Sequence, residues 1–187
     1  MLINKTTTWF SATMIMAFLL KLWHNHSETQ DLYFMLWPAS NFIEILFNTN
    51  SYWNTSGFHF HELPLQMDKY YSGGNLFVFS FLIVSASAPY YLFNTFKAFL
   101  LFLGTLGIAY GFTVAVNVVK FIITLVMYAL RGAPLWMDNP RVIRIEHFLI
   151  HITSLLIIYL LMRYCFTKLK RHILEHHSVY SLNKLKS

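Results

Sequence analysis

No charged side chain occurs between Ala98 and Val119, and nearly every position in that run is apolar. At about 1.5 Å per residue a helix over it reaches roughly 33 Å, enough to cross a bilayer. A water-soluble domain has no core large enough for such a run together with the rest of this chain, in which hydrophobic residues make up 56% and charged residues only 12%. Two further runs approach spanning length. They are Asn75 to Phe93 and Phe148 to Met162, the second extendable to Phe166 if Arg163 carries its charge out to the headgroups. A fourth, Thr6 to Leu20, is closed by Lys21 and Trp23, a cation and an aromatic suited to the far interface. Lys5 before this run also fits a secretory signal, but no small-x-small cleavage site follows, so the segment reads as a retained anchor.

The sequence therefore predicts an all-α polytopic membrane protein, a single membrane domain over residues 1–187, with spans near 6–23, 75–93, 98–119 and 147–166. Leu32 to Phe47 and Phe121 to Leu130 read as interfacial or re-entrant segments, the first because of Asp31 and Glu44, the second because it is too short to span alone. Residues 57–68 alternate large apolar with polar residues and predict a short strand or hairpin in an extracytoplasmic cap.

Charge assigns the sides. With four spans, Lys5, Lys97, Arg163, Lys168, Lys170, Arg171, Lys184 and Lys186 share a side with only Glu175. Six basic residues face seven acidic ones on the other side, so the first side is expected to be cytoplasmic, with both termini and the basic tail 167–187 in the cytoplasm of a bacterial inner membrane. The net charge of +6 thus reflects topology, and no recognisable nucleic-acid motif accompanies it. The expected partners are the bilayer and other membrane proteins, with no nucleic acid. The lone thiol, Cys165, falls near the cytoplasmic end of the last span and excludes a disulfide framework or a cysteine metal cluster. No cofactor and no metal are expected. His147 and His151, one helical turn apart, and His59-x-His61-Glu62 are the nearest approach to a ligand set, but exposed His and Glu alternating on a strand ordinarily face water. His176 and His177 belong to the basic tail.

Chemistry concentrates at Asp68-Lys69-Tyr70-Tyr71-Ser72-Gly73-Gly74-Asn75. A polar turn through Ser72, Gly73, Gly74 and Asn75 into an apolar helix leaves backbone N–H groups at a helix N-terminus, where an anion or oxyanion is held, or else Ser72 or Asn75 simply caps them. Tyr70 and Tyr71 also suit an interfacial aromatic belt, and Lys120 and Arg131 suit helix-end anchors.

That octapeptide, followed by Leu76-Phe77, resembles the nucleophile motif of the exosortase/archaeosortase family, especially the exosortase K group. Leu20-Lys21, Asp31 to Pro38 and Phe42-Ile-Glu44-Ile-Leu-Phe resemble its N-terminal region. Val116-Asn117-Val-Val-Lys120 resembles its Asn-x-x-Arg motif and Glu146-His147 its histidine motif, so the likeness runs from about Leu20 to Leu161. The resemblance implies a membrane cysteine protease-transpeptidase that cuts a C-terminal sorting signal on exported proteins. A thiolate attacks, an imidazole moves protons and a guanidinium stabilises the oxyanion. Here Tyr71 and Lys120 stand at the cysteine and arginine positions, and His147 alone is retained. A phenol near pKa 10 is a poor acyl-transfer nucleophile, and an ammonium lacks the paired donors of a guanidinium. The resemblance therefore implies a non-catalytic or catalytically altered member, with Tyr71, Lys120 and His147 lining one pocket. Two other readings stand beside it, a hydroxyl enzyme using Tyr71 or Ser72 with His147, and an accessory subunit of a larger membrane complex.

Overall fold

A computed structural model describes residues 2–88, 95–131 and 148–168. Helix α1 (Leu2–His26) leads through a single 3-10 turn into α2 (Tyr33–Phe47). Three short strands follow, β1 (Ser51–Asn54), β2 (Gly57–Phe60) and β3 (Gln66–Met67), then α3 (Gly74–Ser87), α4 (Thr95–Arg131) and α5 (Phe148–Lys168).

The helices of α1, α3 and α4 make the body. α3 lies innermost, burying Leu76, Phe77, Val78, Phe81 and Val84 between α1 and α4. Polar atoms inside this body are tied across helices. The Trp9 indole donates to the Ser85 carbonyl at 3.0 Å, and the Ser85 hydroxyl donates to Thr105 at 3.2 Å. An uncompensated buried donor costs more than such a bond returns, so these pairings fix the order of the three helices.

α2 carries Pro38 in its interior. Proline has no N–H, so the Phe34 carbonyl four residues earlier loses its helical donor. The Tyr110 hydroxyl of α4 donates to that carbonyl at 2.6 Å, with the Phe34 and Tyr110 rings stacked at 6.1 Å. The defect in one helix thereby becomes the seam to the next.

The strands form an antiparallel sheet in the order β1-β2-β3, which corrects the all-α expectation. Its first turn is set by Asn54, whose side-chain oxygen accepts from the N–H groups of Ser56 and Gly57 at 2.8 and 3.1 Å. Gly57 has φ 135°, and a β-carbon there would strike the Met67 carbonyl, so only glycine lets β2 sit this close to β3. Glu44 clamps the sheet to α2, accepting from the N–H and hydroxyl of Ser51 at 2.7 and 2.6 Å. Residues 57–60 and 66–67 lie in the segment expected to form a strand or hairpin, whereas β1 was not expected.

Among the described residues two helices, Phe96–Ala129 and Phe148–Lys168, are long and apolar enough to cross a membrane. α1, with 25 residues, and α3, with 14 described, are not among them, so two of the four expected spans are shown as helices of that kind and the other two are not. Phe121 to Leu130 is no separate interfacial helix, because α4 runs unbroken for 37 residues. No proline interrupts it, and Lys120, which looks like a boundary in the sequence, finds its partners inside the protein. α5 turns Ser154 and Ile158 inward and exposes Phe148, Ile152, Leu156, Leu160 and Tyr164. Residues 89–94, residues 132–147 with Glu146 and His147, and residues from 169 onward lie outside the described residues.

Candidate functional site

The octapeptide begins with Asp68, which caps a 3-10 turn over Lys69–Tyr71 by accepting from the Tyr70 N–H at 2.9 Å. Burial pushes the Asp68 carboxyl above its ordinary value, against the opposing pull of the Tyr70 N–H and the Lys120 ammonium. The turn separates the two tyrosines. Tyr70 is 74% exposed, while Tyr71 is buried and packs its ring edge against Phe121 at 5.6 Å. An interfacial belt role therefore fits Tyr70 and not Tyr71.

Lys120 comes up from α4 beneath this turn and is 0% exposed, which corrects its reading as a helix-end anchor. Its ammonium donates to the Tyr70 carbonyl at 2.5 Å and lies 4.6 Å from the centre of the Tyr71 ring. The ring face and the carbonyl together offset the desolvation of the charge. Tyr71 and Lys120 are thus in contact, and His147 is outside the described residues.

Chain direction reverses at Gly73, whose φ of 63° lies in the left-handed region. A β-carbon there would also stand 2.7 Å from the Asn117 side-chain oxygen, so α3 can start against α4 only with glycine at this point. No side chain caps α3. Ser72 donates its hydroxyl to the Lys69 carbonyl at 2.8 Å, and Asn75 accepts from the Lys21 ammonium, so neither serves as the cap the sequence suggested.

His24, in the last turn of α1, was not singled out from the sequence. Its Nε2 lies 3.2 Å from the Ser72 hydroxyl oxygen, and its ring rests on Gly74 so closely that a β-carbon there would overlap it. With the Ser72 proton directed at Lys69, the imidazole donates through Nε2, and Nδ1 is left buried with no partner. Burial, reinforced by the Lys21 and Lys69 ammonium groups, holds His24 below the usual histidine range. The folded state thus resists protonating His24. That stability is fully present above about pH 6.5, the unfolded value, and is lost as pH falls through 6.5 towards the lower folded value. Melting temperatures of the purified protein between pH 8 and 5 are expected to fall more steeply for the wild type than for His24→Gln. Equal slopes would show that another group governs the acid limb.

His24, Lys69, Tyr70, Ser72, Gly73, Gly74, Asn75 and His151 surround a cavity of about 490 Å³. His151, from the first turns of α5, is the member of the expected His147–His151 pair that can be placed, and its Nε2 is buried without a partner. Among the described residues no group of three His, Cys, Asp or Glu side chains could hold a metal. His59 stacks on Tyr52 at 5.4 Å and contacts Ser56, while His61 and Glu62 are exposed. Cys165 is exposed on α5, about 25 Å along the helix from its start.

Chemically, the arrangement offers donors and positive charge rather than a primed nucleophile. Ser72 is 0% exposed with its proton directed at a carbonyl, and among the described residues no third group holds the Nδ1 of the imidazole beside it. Comparison with protein-family models, curated proteins and solved structures finds no match to this chain.

Proposed function

We propose that the chain is an exosortase-like integral membrane protein, a non-catalytic or catalytically altered member of that protein-sorting family. In this reading it crosses a bacterial inner membrane four times, with both termini cytoplasmic and residues 24–74 on the opposite side. α4 is about 55 Å long, more than a hydrocarbon core of about 30 Å needs, and at Lys120 and Phe121 it meets Tyr71 and, in the sheet, Phe60.

The observation that carries the proposal is the contact between Lys120 and Tyr71. These are the residues at the family's arginine and cysteine positions, and in this chain they serve each other. The ammonium is used on the Tyr70 carbonyl and the Tyr71 ring, where a transpeptidase needs a cation aimed at the substrate oxyanion. The sole thiol is far along α5 and cannot replace the missing nucleophile. Such a scaffold suits the holding of a transmembrane peptide or a neighbouring subunit.

The test follows a tagged C-terminal sorting-signal substrate in cells that carry the wild type, Cys165→Ser, Ser72→Ala or His147→Ala. The expected result is no cleavage in any of them, with the substrate or a membrane partner copurifying. Cleavage abolished by Cys165→Ser would restore thiol chemistry. Cleavage abolished by both Ser72→Ala and His147→Ala would establish the hydroxyl enzyme instead. In the same cells an impermeant thiol reagent should label Asn54→Cys and spare Ser178→Cys, and the opposite pattern would invert the topology.

A further inference from the structure

We infer that the cavity at the start of α3 is a binding site for a phosphate group, such as a phospholipid headgroup carries. Its wall brings together His24 from α1, Lys69, the backbone of Gly73 and Gly74, and His151 from α5, with no carboxylate among the described lining residues. The Lys69 ammonium donates once, to the Ser27 carbonyl at 2.5 Å, and keeps two further donors. Lys21, bonded to the cavity residue Asn75, adds a second cation at the edge.

The N-terminus of α3 contributes N–H groups that no side chain caps, and the helix dipole favours an anion there. An independent observation points the same way: the His151 Nε2 atom, in the cavity wall, is buried without a partner. A tetrahedral phosphate, with oxygens in several directions, matches donors that converge from three helices and a turn better than a planar carboxylate does.

A lipid is the favoured source. The cavity histidines are flanked by exposed apolar residues, Leu22 and Trp23 beside His24 and Phe148 and Ile152 beside His151, along which acyl chains can lie. Only this lipid source rests on the membrane reading proposed above.

The test uses the full chain in neutral detergent, with melting temperature measured against added inorganic phosphate and against short-chain phosphatidic acid, and chloride as control. A ligand of the folded state raises the melting temperature in proportion to the logarithm of its concentration. The expected result is a rise with phosphatidic acid, with affinity reduced about tenfold or more in both Lys69→Gln and Lys21→Gln, since each removes a charge-assisted donor. Glutamine can keep the neutral hydrogen bond at either position, and Cys165→Ser should match the wild type. A rise with phosphatidic acid alone supports the headgroup, and a rise with both ligands supports a phosphate site of broader access. A rise with inorganic phosphate alone keeps the site and removes the lipid. No rise with either, or rises unchanged in both lysine variants, overturns the inference. A positive phosphate result beside inverted or absent thiol labelling would sink the membrane topology while the cavity stands.

Discussion

Truncating Tyr71 to alanine is expected to destabilise the protein by about 3 to 5 kcal/mol, the range for removing a buried aromatic ring. Two losses combine in that figure. The ring is packed against Phe121, which in turn meets Phe60 of the sheet at 5.1 Å, so its removal opens a void between sheet and α4. It is also the surface over which the fully buried Lys120 ammonium sits, a contact worth about 2 kcal/mol when desolvated. Tyr71→Phe keeps the ring face and is expected to cost only about 1 kcal/mol. Lys120→Met keeps the volume of the stem and removes the charge, and such replacements are often close to neutral. The informative comparison is the double variant. If the ring shelters the charge, Lys120→Met should recover part of the loss in the Tyr71→Ala background, and chemical denaturation in detergent measures the coupling. Additive losses would mean that ring and ammonium are neighbours without mutual dependence.

The same pair marks how far the sequence could be read. Long uncharged runs announced the two apolar helices α4 and α5, and Ser72-Gly73-Gly74-Asn75 announced a helix start, because these signals are local. The continuation of α4 past Lys120 is not legible in the sequence, since a charge in an apolar run looks like a boundary unless its partner is known. That partner is a carbonyl 50 residues earlier. β1 escaped notice for a related reason. Its four residues acquire strand character from pairing with β2 and from the Glu44 clamp, neither of which leaves a periodicity in so short a segment. His24 lies 48 residues from Ser72 and sits among ordinary helix-end residues, so only the packing of α1 against α3 reveals it. The expected grouping of Tyr71, Lys120 and His147 is seen only in the contact of the first two, since His147 lies outside the described residues, and the histidines placed around the turn at Ser72 are His24 and His151.

Gly74→Ala provides the second large effect, expected at about 3 kcal/mol, the upper end for overpacking a close contact. A single methyl group is normally welcome near the start of a helix, where alanine exceeds glycine in propensity by about 1 kcal/mol. Here that gain is overwhelmed, because the added β-carbon overlaps the His24 ring. The ring has little freedom to yield. Its Nε2 is engaged with Ser72, and it is carried by α1, which is tied to α3 again through Trp9 and Ser85. Relief therefore requires either breaking the Ser72 contact or shifting α1 along α3, and both disturb the cavity wall. The physical cause can be isolated by removing the obstacle. His24→Ala should cost stability by itself through the lost packing, yet Gly74→Ala added to it should then cost nothing and recover the propensity gain. A Gly74→Ala penalty that persists without the imidazole would place the obstruction elsewhere and would remove His24 from the wall of the site.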